Sequence, residues 1–447
     1  MASDWQLRPL AECMAAIIDY RGKTPKKSDS GVPLVTAKIV KGGRILPVQE
    51  FIPEENYDAW MRRGLPHPGD VLVTTEAPLG EVAQLDGRQV ALAQRLIALR
   101  GAPEMLDNTF LKFLMQSAFV QNQLRARATG TTVVGIKQSE LRKIDLLVPP
   151  LPEQRRIAHI LGTLDDKIEL NRRMNETLEA MAQALFNSWF VDFDPVFDNA
   201  LAAGNLTPAV FADRAAQRAA IRDQHPPLPD HLLALFPDRF QDSPLGPIPE
   251  GWEAVPTPTV IEFNPRIKLV KGKVTKYADM KAVPTSGPCV SGVAEREYKG
   301  GAKFQQGDVL MARITPCLEN GKTALVDFLA DDEVAHGSTE FIVMRGRGAV
   351  SQEFAYCLAR SPEFRERSIA SMVGSSGRQR VQVSAYDQHQ LPRPPDELHE
   401  AFGRQVRPFF KRITANARES AALALVRDTL LPLLASGAMP PHCLPGI

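Results

Sequence analysis

The chain has 447 residues, of which 44% are hydrophobic and 23% are charged, as is ordinary for a globular protein of two domains. Lys and Arg total 53 and Asp and Glu total 52, so the formal net charge of +1 excludes a uniformly basic protein. Any surface that binds nucleic acid must therefore be local.

The cysteines and the apolar runs bear on where the protein resides. Its 5 cysteines show no Cys-x-x-Cys spacing, which argues against a zinc module or a disulfide framework and fits a reducing cytosol. No apolar run reaches the roughly 18 residues that a membrane span needs, and the N-terminus lacks a signal-peptide pattern. These observations predict a cytoplasmic protein.

Residues 1–150 predict a first α/β domain. Stretches rich in β-branched residues at 32–45, 70–75 and 91–99 predict short strands, and the apolar periodicity of 109–128 predicts one helix. The helix is followed by a loop, ATGTTVVGIK, in which Gly130 and Gly135 allow sharp turns. Basic, hydroxyl-rich loops of this kind contact phosphate groups. The alternative is a solvated turn beside a charged helix end.

Residues 151–192 predict a long helix with a heptad stripe, because apolar residues recur in steps of four and three. From about Pro152 to about Phe190 it would be roughly 55 Å long, too long for one compact core, and we expect a strut. The predicted seam positions are Ile157, Leu161, Leu164, Ile168, Asn171, Asn175, Leu178 and Leu185. The two asparagines would fix the register of the partner helix or else lie at the edge of the contact.

Residues 193–249 are dense in proline, which sustains neither helix interiors nor central strands. This composition predicts a connector that runs over the surface from the far end of the strut to a second domain. It contains one short helical run, PAVFADRAAQRAAIRDQ.

The second half of the chain repeats the first. The tetrapeptide Gly-Asp-Val-Leu at 69–72 recurs at 307–310, and the loop GTTVVGI has a counterpart in SSGRQRV. The order of the matches predicts a tandem duplication, with a second domain at 250–395, a second long helix at 396–436 and a tail at 437–447. Pro408 lies inside the second helix, and we expect a break or a kink just before it. Two such helices pack most simply antiparallel.

The sequence lacks the common catalytic motifs. Gly321, Lys322 and Thr323 form the end of a phosphate-binding loop, but Pro316 occupies the place of its leading glycine. We find no His-Glu-x-x-His, no Gly-x-Gly-x-x-Gly after a strand and no Asn/Asp-Pro-Pro-Tyr/Phe tetrapeptide of the adenine methyltransferases. This pattern indicates a binding protein whose catalysis belongs to partners.

The long-helix region carries a family resemblance. Its sequence, LPEQRRIAHILGTLDDKIELNRRMNETLEAMAQALFNSWFVDFDP, resembles the central region of the specificity subunits of type I restriction-modification enzymes, the HsdS family. The resemblance implies an α+β fold in which two pseudo-repeated target-recognition domains are separated by two long antiparallel helices. By the same resemblance, each domain reads one half of an asymmetric bipartite site on double-stranded DNA, and the helices set the gap.

The resemblance also implies partners and cofactors. Two modification subunits, which are adenine-N6 methyltransferases, would bind the chain and use S-adenosylmethionine. Restriction subunits, which combine a translocase with a nuclease, would use ATP and Mg²⁺. This chain itself would carry no catalytic residue, no metal and no cofactor.

Candidate DNA contacts are basic or hydroxyl side chains near the start of each domain and on the two glycine loops. They are Lys38, Lys41, Arg44, Arg125, Arg127, Thr131, Thr132 and Lys137 in the first half, and Lys268, Lys271, Lys273, Arg313, Arg378 and Arg380 in the second. Some would hold phosphates and a few would read base edges.

Two other functions stay open on the sequence. An enzyme with its own active site would need a constellation that the motifs above do not supply. A two-headed protein-binding scaffold without nucleic acid would explain the repeat and the long helices equally well.

Overall fold

The computed structural model describes residues 5–20, 24–221, 228–375 and 377–441. These residues form two compact units, one within Met1–Glu169 and Ser420–Ile447 and the other within Leu170–Glu419. Ser376 of the second glycine loop and residues 442–447 of the predicted tail lie outside the described residues. None of the helices in the described ranges is both long and apolar enough to cross a membrane.

The first unit combines short strands with short helices. Its strands are β1 (Gln6–Pro9), β2 (Met14–Asp19), β3 (Val32–Val35), β4 (Val40–Lys41), β5 (Arg44–Ile45), β6 (Phe51–Ile52), β7 (Val71–Thr75), β8 (Leu79–Gln84), β9 (Ala91–Leu92), β10 (Leu96–Gly101) and β11 (Asp145–Val148). Its short helices are α1 (Tyr57–Trp60), α2 (Asn108–Gln116), α3 (Ala118–Ala126) and α4 (Gln138–Leu141). Its largest sheet is antiparallel, in the order β2-β10-β7-β8, and β1 pairs with β11.

The prediction of one helix over 109–128 was wrong, because Ser117 separates α2 from α3. Ser117 has an extended backbone with ψ 148°, which ends α2. Its Oγ accepts a hydrogen bond from the Val120 N–H at 3.4 Å and caps the start of α3. The apolar periodicity continues across Ser117, so the sequence pattern did not indicate the break between the two helices.

Later in the chain come the elements of the second unit. Its strands are β12 (Phe240–Gln241), β13 (Ile248–Pro249), β14 (Glu253–Pro256), β15 (Ile261–Phe263), β16 (Val274–Ala278), β17 (Ala294–Glu297), β18 (Ala302–Gln305), β19 (Val309–Ala312), β20 (Thr323–Leu325), β21 (Val334–Gly337), β22 (Phe341–Gly346) and β23 (Gln390–Arg393). The long helix α5 (Leu151–Phe190) precedes α6 (Asp194–Ala203), α7 (Ala212–Ile221), α8 (Asp230–Leu233), α9 (Thr257–Val260), α10 (Gln352–Arg360), α11 (Pro362–Ala370) and the second long helix, α12 (Asp396–Ala435).

The predicted duplication is confirmed by the sheets. The strand order β15-β22-β19-β20 of the second unit reproduces β2-β10-β7-β8 of the first, and β14 pairs with β23 as β1 pairs with β11. Helices α10 and α11 follow as α2 and α3 do, and Ser361 caps α11 as Ser117 caps α3. Each unit is therefore one copy of the same module.

A buried ion pair recurs in the two copies and explains the repeated tetrapeptide. The Asp70 side chain is 1% exposed and accepts hydrogen bonds from Nε and Nη2 of Arg100, both at 2.8 Å. Asp308 accepts from the same two atoms of Arg345 at 2.7 and 2.8 Å. A buried carboxylate requires such a partner, because an uncompensated charge would be costly.

The two long helices pack antiparallel within each unit, as predicted. In the first unit Ile157 and Leu161 of α5 share a core with Leu434 near the end of α12. In the second unit the rings of Trp189 and Phe190, at the end of α5, lie 5.9 and 5.1 Å from the ring of Phe402 near the start of α12. The fold class predicted from the sequence is confirmed.

The predicted seam residues differ in their exposure. Ile157, Leu161, Leu164 and Asn171 are buried, whereas Ile168, Asn175, Leu178 and Leu185 are half-buried. The asparagines lie in the contact between the helices. Asn171 donates to Glu419 Oε2 at 2.8 Å, and Asn175 accepts from Asn416 Nδ2 at 2.8 Å. Such a polar layer is satisfied in one register, which supports the role predicted for these amides.

The break predicted at Pro408 was wrong. Helix α12 is one helix of 40 residues from Asp396 to Ala435. Proline removes one backbone hydrogen bond. The apolar side chains on either side, Val406 and Phe410, are buried in the core of the second unit, and their packing keeps the helix continuous.

The predicted surface connector is instead a folded part of the second unit. It contains α6, α7, α8 and the β12–β13 pair, and the side chain of Phe197 is fully buried. Asp198 binds Nε and Nη2 of Arg218 at 2.8 and 2.7 Å and so joins α6 to α7. Prolines of this segment lie at the starts of short helices, such as Pro195 in α6 and Pro229 before α8, which is why their density suggested a surface connector.

The aromatic core of the second unit predicts sensitivity to acid. His399 is 1% exposed, its ring stacks on Phe190 at 5.7 Å, and burial lowers its pKa to about 4. The unfolded chain takes up a proton near the ordinary pKa of about 6.5. The stability that comes from keeping His399 neutral in the folded protein is therefore complete above about pH 6.5. It is lost as the pH falls toward 4.

At pH 5 we expect His399 to cost about 2 kcal/mol of stability relative to pH 7.5. Urea unfolding of the wild type and of His399→Leu at the two pH values measures the difference. His389, whose pKa is also lowered to about 4, supplies a similar loss in both proteins and serves as the internal reference. An equal loss of stability in both proteins would contradict the assignment to His399.

Candidate nucleic-acid interface

The glycine loop of the first unit is fixed to the end of β7. Thr129 and Gly135 exchange backbone hydrogen bonds of 2.8 and 2.9 Å, and the Ile136 N–H donates to Thr75 O at 2.9 Å. Gly130 has φ +117°, and an added Cβ would lie 2.1 Å from Val133 O, so only glycine fits. Residues 131–134 at the tip are exposed. The loop therefore presents its tip to solvent from a fixed base.

The second unit builds the same loop. Val373 and Arg380 exchange two backbone hydrogen bonds of 3.0 Å, and the Val381 N–H donates to Arg313 O at 2.9 Å. Gly374 has φ +139° and corresponds to Gly130. By these hydrogen bonds Arg380 corresponds to Gly135, and Arg313 corresponds to Thr75.

An ion pair lies beside each glycine loop. The residue that precedes β10 in the first unit is a cation, whereas the residue that precedes β22 in the second unit is an anion. Arg95 binds Glu76 at 2.8 Å in the first unit, whereas Glu340, which occupies the place of Arg95, binds Arg380 at 2.7 Å in the second. The hydrogen bond from Arg380 lowers the pKa of Glu340. The charge of Arg380 is therefore matched within the protein.

The remaining predicted contacts fall into two groups. Exposed cations that form no ion pair within the described residues are Lys38, Lys41, Lys137, Lys268, Lys271, Lys273 and Arg378, and Thr131 and Thr132 are exposed at the first loop tip. Three arginines have partners: Arg44 lies 3.8 Å from Glu169, Arg127 lies 3.8 Å from Glu140, and Arg125 donates to Asn122 at 3.1 Å.

In the first unit the candidates lie on adjacent strands. Lys41 and Arg44 belong to the β4–β5 hairpin, which is tied to β8 by the hydrogen bond from the Gly42 N–H to Glu81 Oε2 at 2.8 Å. The glycine loop is tied to β7, and β7 pairs with β8. The cations of the hairpin and the glycine loop are therefore anchored to neighbouring strands of one sheet.

In the second unit three lysines lie on the segment that leads into β16. The Gly272 N–H donates to Tyr298 O at 3.0 Å, and the Tyr298 N–H donates to Lys273 O at 2.8 Å, so this segment is held against the chain after β17. Lys268, Lys271 and Lys273 are exposed there, and Val270 between them is 75% exposed. Arg313 lies elsewhere, half-buried beside the second glycine loop.

The described residues offer no group of three or more His, Cys, Asp or Glu side chains that could hold a metal ion. The arrangement of the candidates is one of separated cations on loops and hairpins around two copies of a sheet. Such an arrangement suits contacts with an extended polyanion.

Comparison with known proteins agrees with this arrangement. A family model described as the type I restriction modification DNA specificity domain matches residues 3–180. The specificity subunit of the type I restriction enzyme HindI from Haemophilus influenzae is 27% identical over 75% of this chain and 77% of its own length. The specificity subunit of MjaIX from Methanocaldococcus jannaschii is 23% identical over 83% of this chain and 78% of its own. Over residues 3–180 the chain thus matches the DNA specificity domain of type I restriction-modification systems, and along most of its length it is similar to their specificity subunits.

A solved structure shares the fold of this chain. The S subunit of the type I restriction-modification system from M. genitalium has a TM-score of 0.52 and 14% sequence identity, and the match covers 96% of each chain. At this identity the likeness concerns the fold alone.

Sequence reasoning missed several polar residues that lie beside the candidate contacts: Arg95 beside the first glycine loop, and Asn264 and Lys303, which line one cavity with Arg313. Arg95 has φ +73°, and Asn264 has φ +50°, which are uncommon for residues other than glycine. Lys303 donates to Ile267 O from β18. The internal repeat could have found Arg95, because it precedes β10 as Glu340 precedes β22; no local sequence signal marks the other two.

Proposed function

We propose that the chain is the DNA-specificity subunit of a type I restriction-modification complex, and that each unit binds one half of an asymmetric bipartite target. The observation that carries the proposal is the duplicated module: both units repeat one strand order, one glycine loop and one buried ion pair. Two copies with different surface residues suit two different half-sites. The match to the DNA specificity domain supports DNA as the ligand class.

The charges on the surface support DNA as the ligand. The chain is almost neutral overall, yet several exposed cations without an ion pair in the described residues lie on the β4–β5 hairpin, on the segment before β16 and on the glycine loops. Lysines of this kind would hold phosphates, and a few side chains at the loop tips would read base edges. The direct DNA contacts named from the sequence stay predictions.

The chain would act without an active site of its own. Its partners would be two modification subunits, which use S-adenosylmethionine to methylate adenine, and restriction subunits, which use ATP and Mg²⁺. Exposed apolar side chains on the long helices, among them Leu170, Met181 and Leu425 at 53, 48 and 70% exposure, would suit contacts with protein partners. No cofactor would bind this chain.

Salt dependence tests DNA binding directly. Binding of the full chain to a random 30-base-pair duplex is expected to weaken steeply with salt, because phosphate contacts release counterions. Replacing Lys268, Lys271 and Lys273 together by Gln should lower the slope of log affinity against log salt by up to about 3. Fluorescence anisotropy across a sodium chloride series gives this slope.

The matched control replaces Arg404, Lys411 and Arg412, which are exposed cations on α12 in the same unit. This variant should keep the wild-type slope. A wild-type chain that binds no duplex at low salt, alone and with its modification subunits, would refute the proposed function and favour a protein-binding scaffold.

A further inference from the structure

The second unit contains a cavity beside its glycine loop that the proposed function does not yet assign. Its volume is about 330 Å³, and its walls come from the ends of β15, β18, β19 and β22. The polar lining residues are Asn264, Lys303, Arg313 and Thr339, and no lining residue is acidic. The cavity is therefore a cationic recess on one copy of the module.

The guanidinium of Arg313 lines the recess and forms no ion pair within the described residues. Its Nη2 donates to Val381 O at 3.1 Å, which fixes the side chain against the base of the loop. Its Nε is enclosed by the protein and makes no hydrogen bond, so it is the charge of the guanidinium that the recess offers to a ligand.

The neighbouring charges leave the recess positive. Glu340 interacts electrostatically with Arg313, but both of its oxygens accept hydrogen bonds from Arg380, at distances from 2.7 to 3.1 Å. Lys303, which also lines the recess, donates to the backbone carbonyl of Ile267 and forms no ion pair within the described residues. Two cations thus face one recess that contains no carboxylate.

The first unit differs at the same place. Thr75 occupies the position of Arg313, and its side chain is 1% exposed. The guanidinium therefore belongs to the second copy and is not needed for the shared fold. A residue that the module can lack is available for a ligand.

We propose that this recess binds one phosphate group of the DNA backbone at the half-site of the second unit, an inference that rests on the proposed function. Arg313 and Lys303 supply the two positive charges that attract the phosphate into the recess. A protruding phosphate fits a concave cationic recess, whereas base edges lie at the floor of a groove and are read by protruding side chains. The contact fixes register and carries no base preference.

The test compares Arg313→Gln, Arg313→Lys and the control Arg404→Gln in the full chain, with a random 30-base-pair duplex. Arg313→Gln should lower the salt slope by about 0.9, the value for one phosphate. Arg313→Lys keeps the charge and should keep most of the slope, and Arg404→Gln should match the wild type. If Arg313→Gln fails to fold, Lys303→Gln replaces it, with the same expected loss.

The outcomes separate this inference from the proposed function. A wild type that binds duplex with a slope unchanged in Arg313→Gln overturns the inference alone, whereas a wild type that binds no duplex overturns the function. Loss of preference for one base pair of the target, with an unchanged slope, would make Arg313 a base reader and overturn the phosphate assignment. Inorganic phosphate alone should show no saturable binding by calorimetry; tight binding that Arg313→Gln abolishes would make the recess a small-anion site.

Discussion

Replacing Leu161 by Asp should unfold the first unit. Leu161 is fully buried on α5, in the core that it shares with Ile157 and with Leu434 of α12. Shortening a buried leucine costs about 2–5 kcal/mol, and burial of an unpaired carboxylate adds several more. The sum is comparable with the whole stability of a domain, about 5–15 kcal/mol.

Leu170→Asp is the matched control, because it makes the same change on the same helix at a side chain that is 53% exposed. Its effect should stay within about 0.5 kcal/mol. Urea unfolding followed by tryptophan fluorescence, together with the soluble yield, measures both variants. A Leu161→Asp protein as stable as Leu170→Asp would show that this part of α5 does not pack on α12.

The long helices were predictable because their signal is strong and local. The heptad stripe predicted α5 to within a residue of its bounds, Leu151 and Phe190. Pro408 misled the prediction for α12, because the loss of one backbone hydrogen bond is a local effect whereas the burial of Val406 and Phe410 is tertiary. The prediction of a surface connector failed for the same reason. Its prolines are visible in the sequence, whereas the burial of its aromatic side chains depends on tertiary packing.

The site was predictable only as a set of loops. Glycine and hydroxyl residues marked the loop from Thr129 to Gly135, and its backbone pairing follows from them. Which cations are unpaired depends on carboxylates far along the chain, such as Glu340 for Arg380, 40 residues away. The recess of Arg313 depends on four strand ends that only the fold brings together.

Exchange of residues 5–148 for the same segment of a similar specificity subunit should change one half of the DNA target and leave the other half intact. The segment is closed on itself, because β1 pairs with β11 from Gln6↔Val148 to Pro9↔Asp145. The exchange removes and replaces both strands of this pair together, so it breaks no strand pairing.

The joint to α5 decides whether such a chimera folds. Gln154 of α5 accepts from the Asp107 N–H and donates to Met105 O, both at 2.8 Å, and these backbone atoms are present in any incoming segment. Lys112 instead donates to Asp165 through its side chain, at 2.5 Å. The incoming segment should therefore carry Lys at this position.

The control is Lys112→Met in the otherwise native chain. It leaves Asp165 with Arg427 as a partner at 2.8 Å, so we expect reduced stability and an unchanged target.

Methylome sequencing of a host that carries the chimera with its modification subunits reports both half-sites at once. The two copies of the module have separate cores, with no residue shared between them among the described residues, so the second unit should read its bases as before. A change in both half-sites would show that the units do not read independently. A new half-site in the Lys112→Met control would show that the joint itself contributes to base recognition, because that variant alters no side chain of the hairpin or the loop.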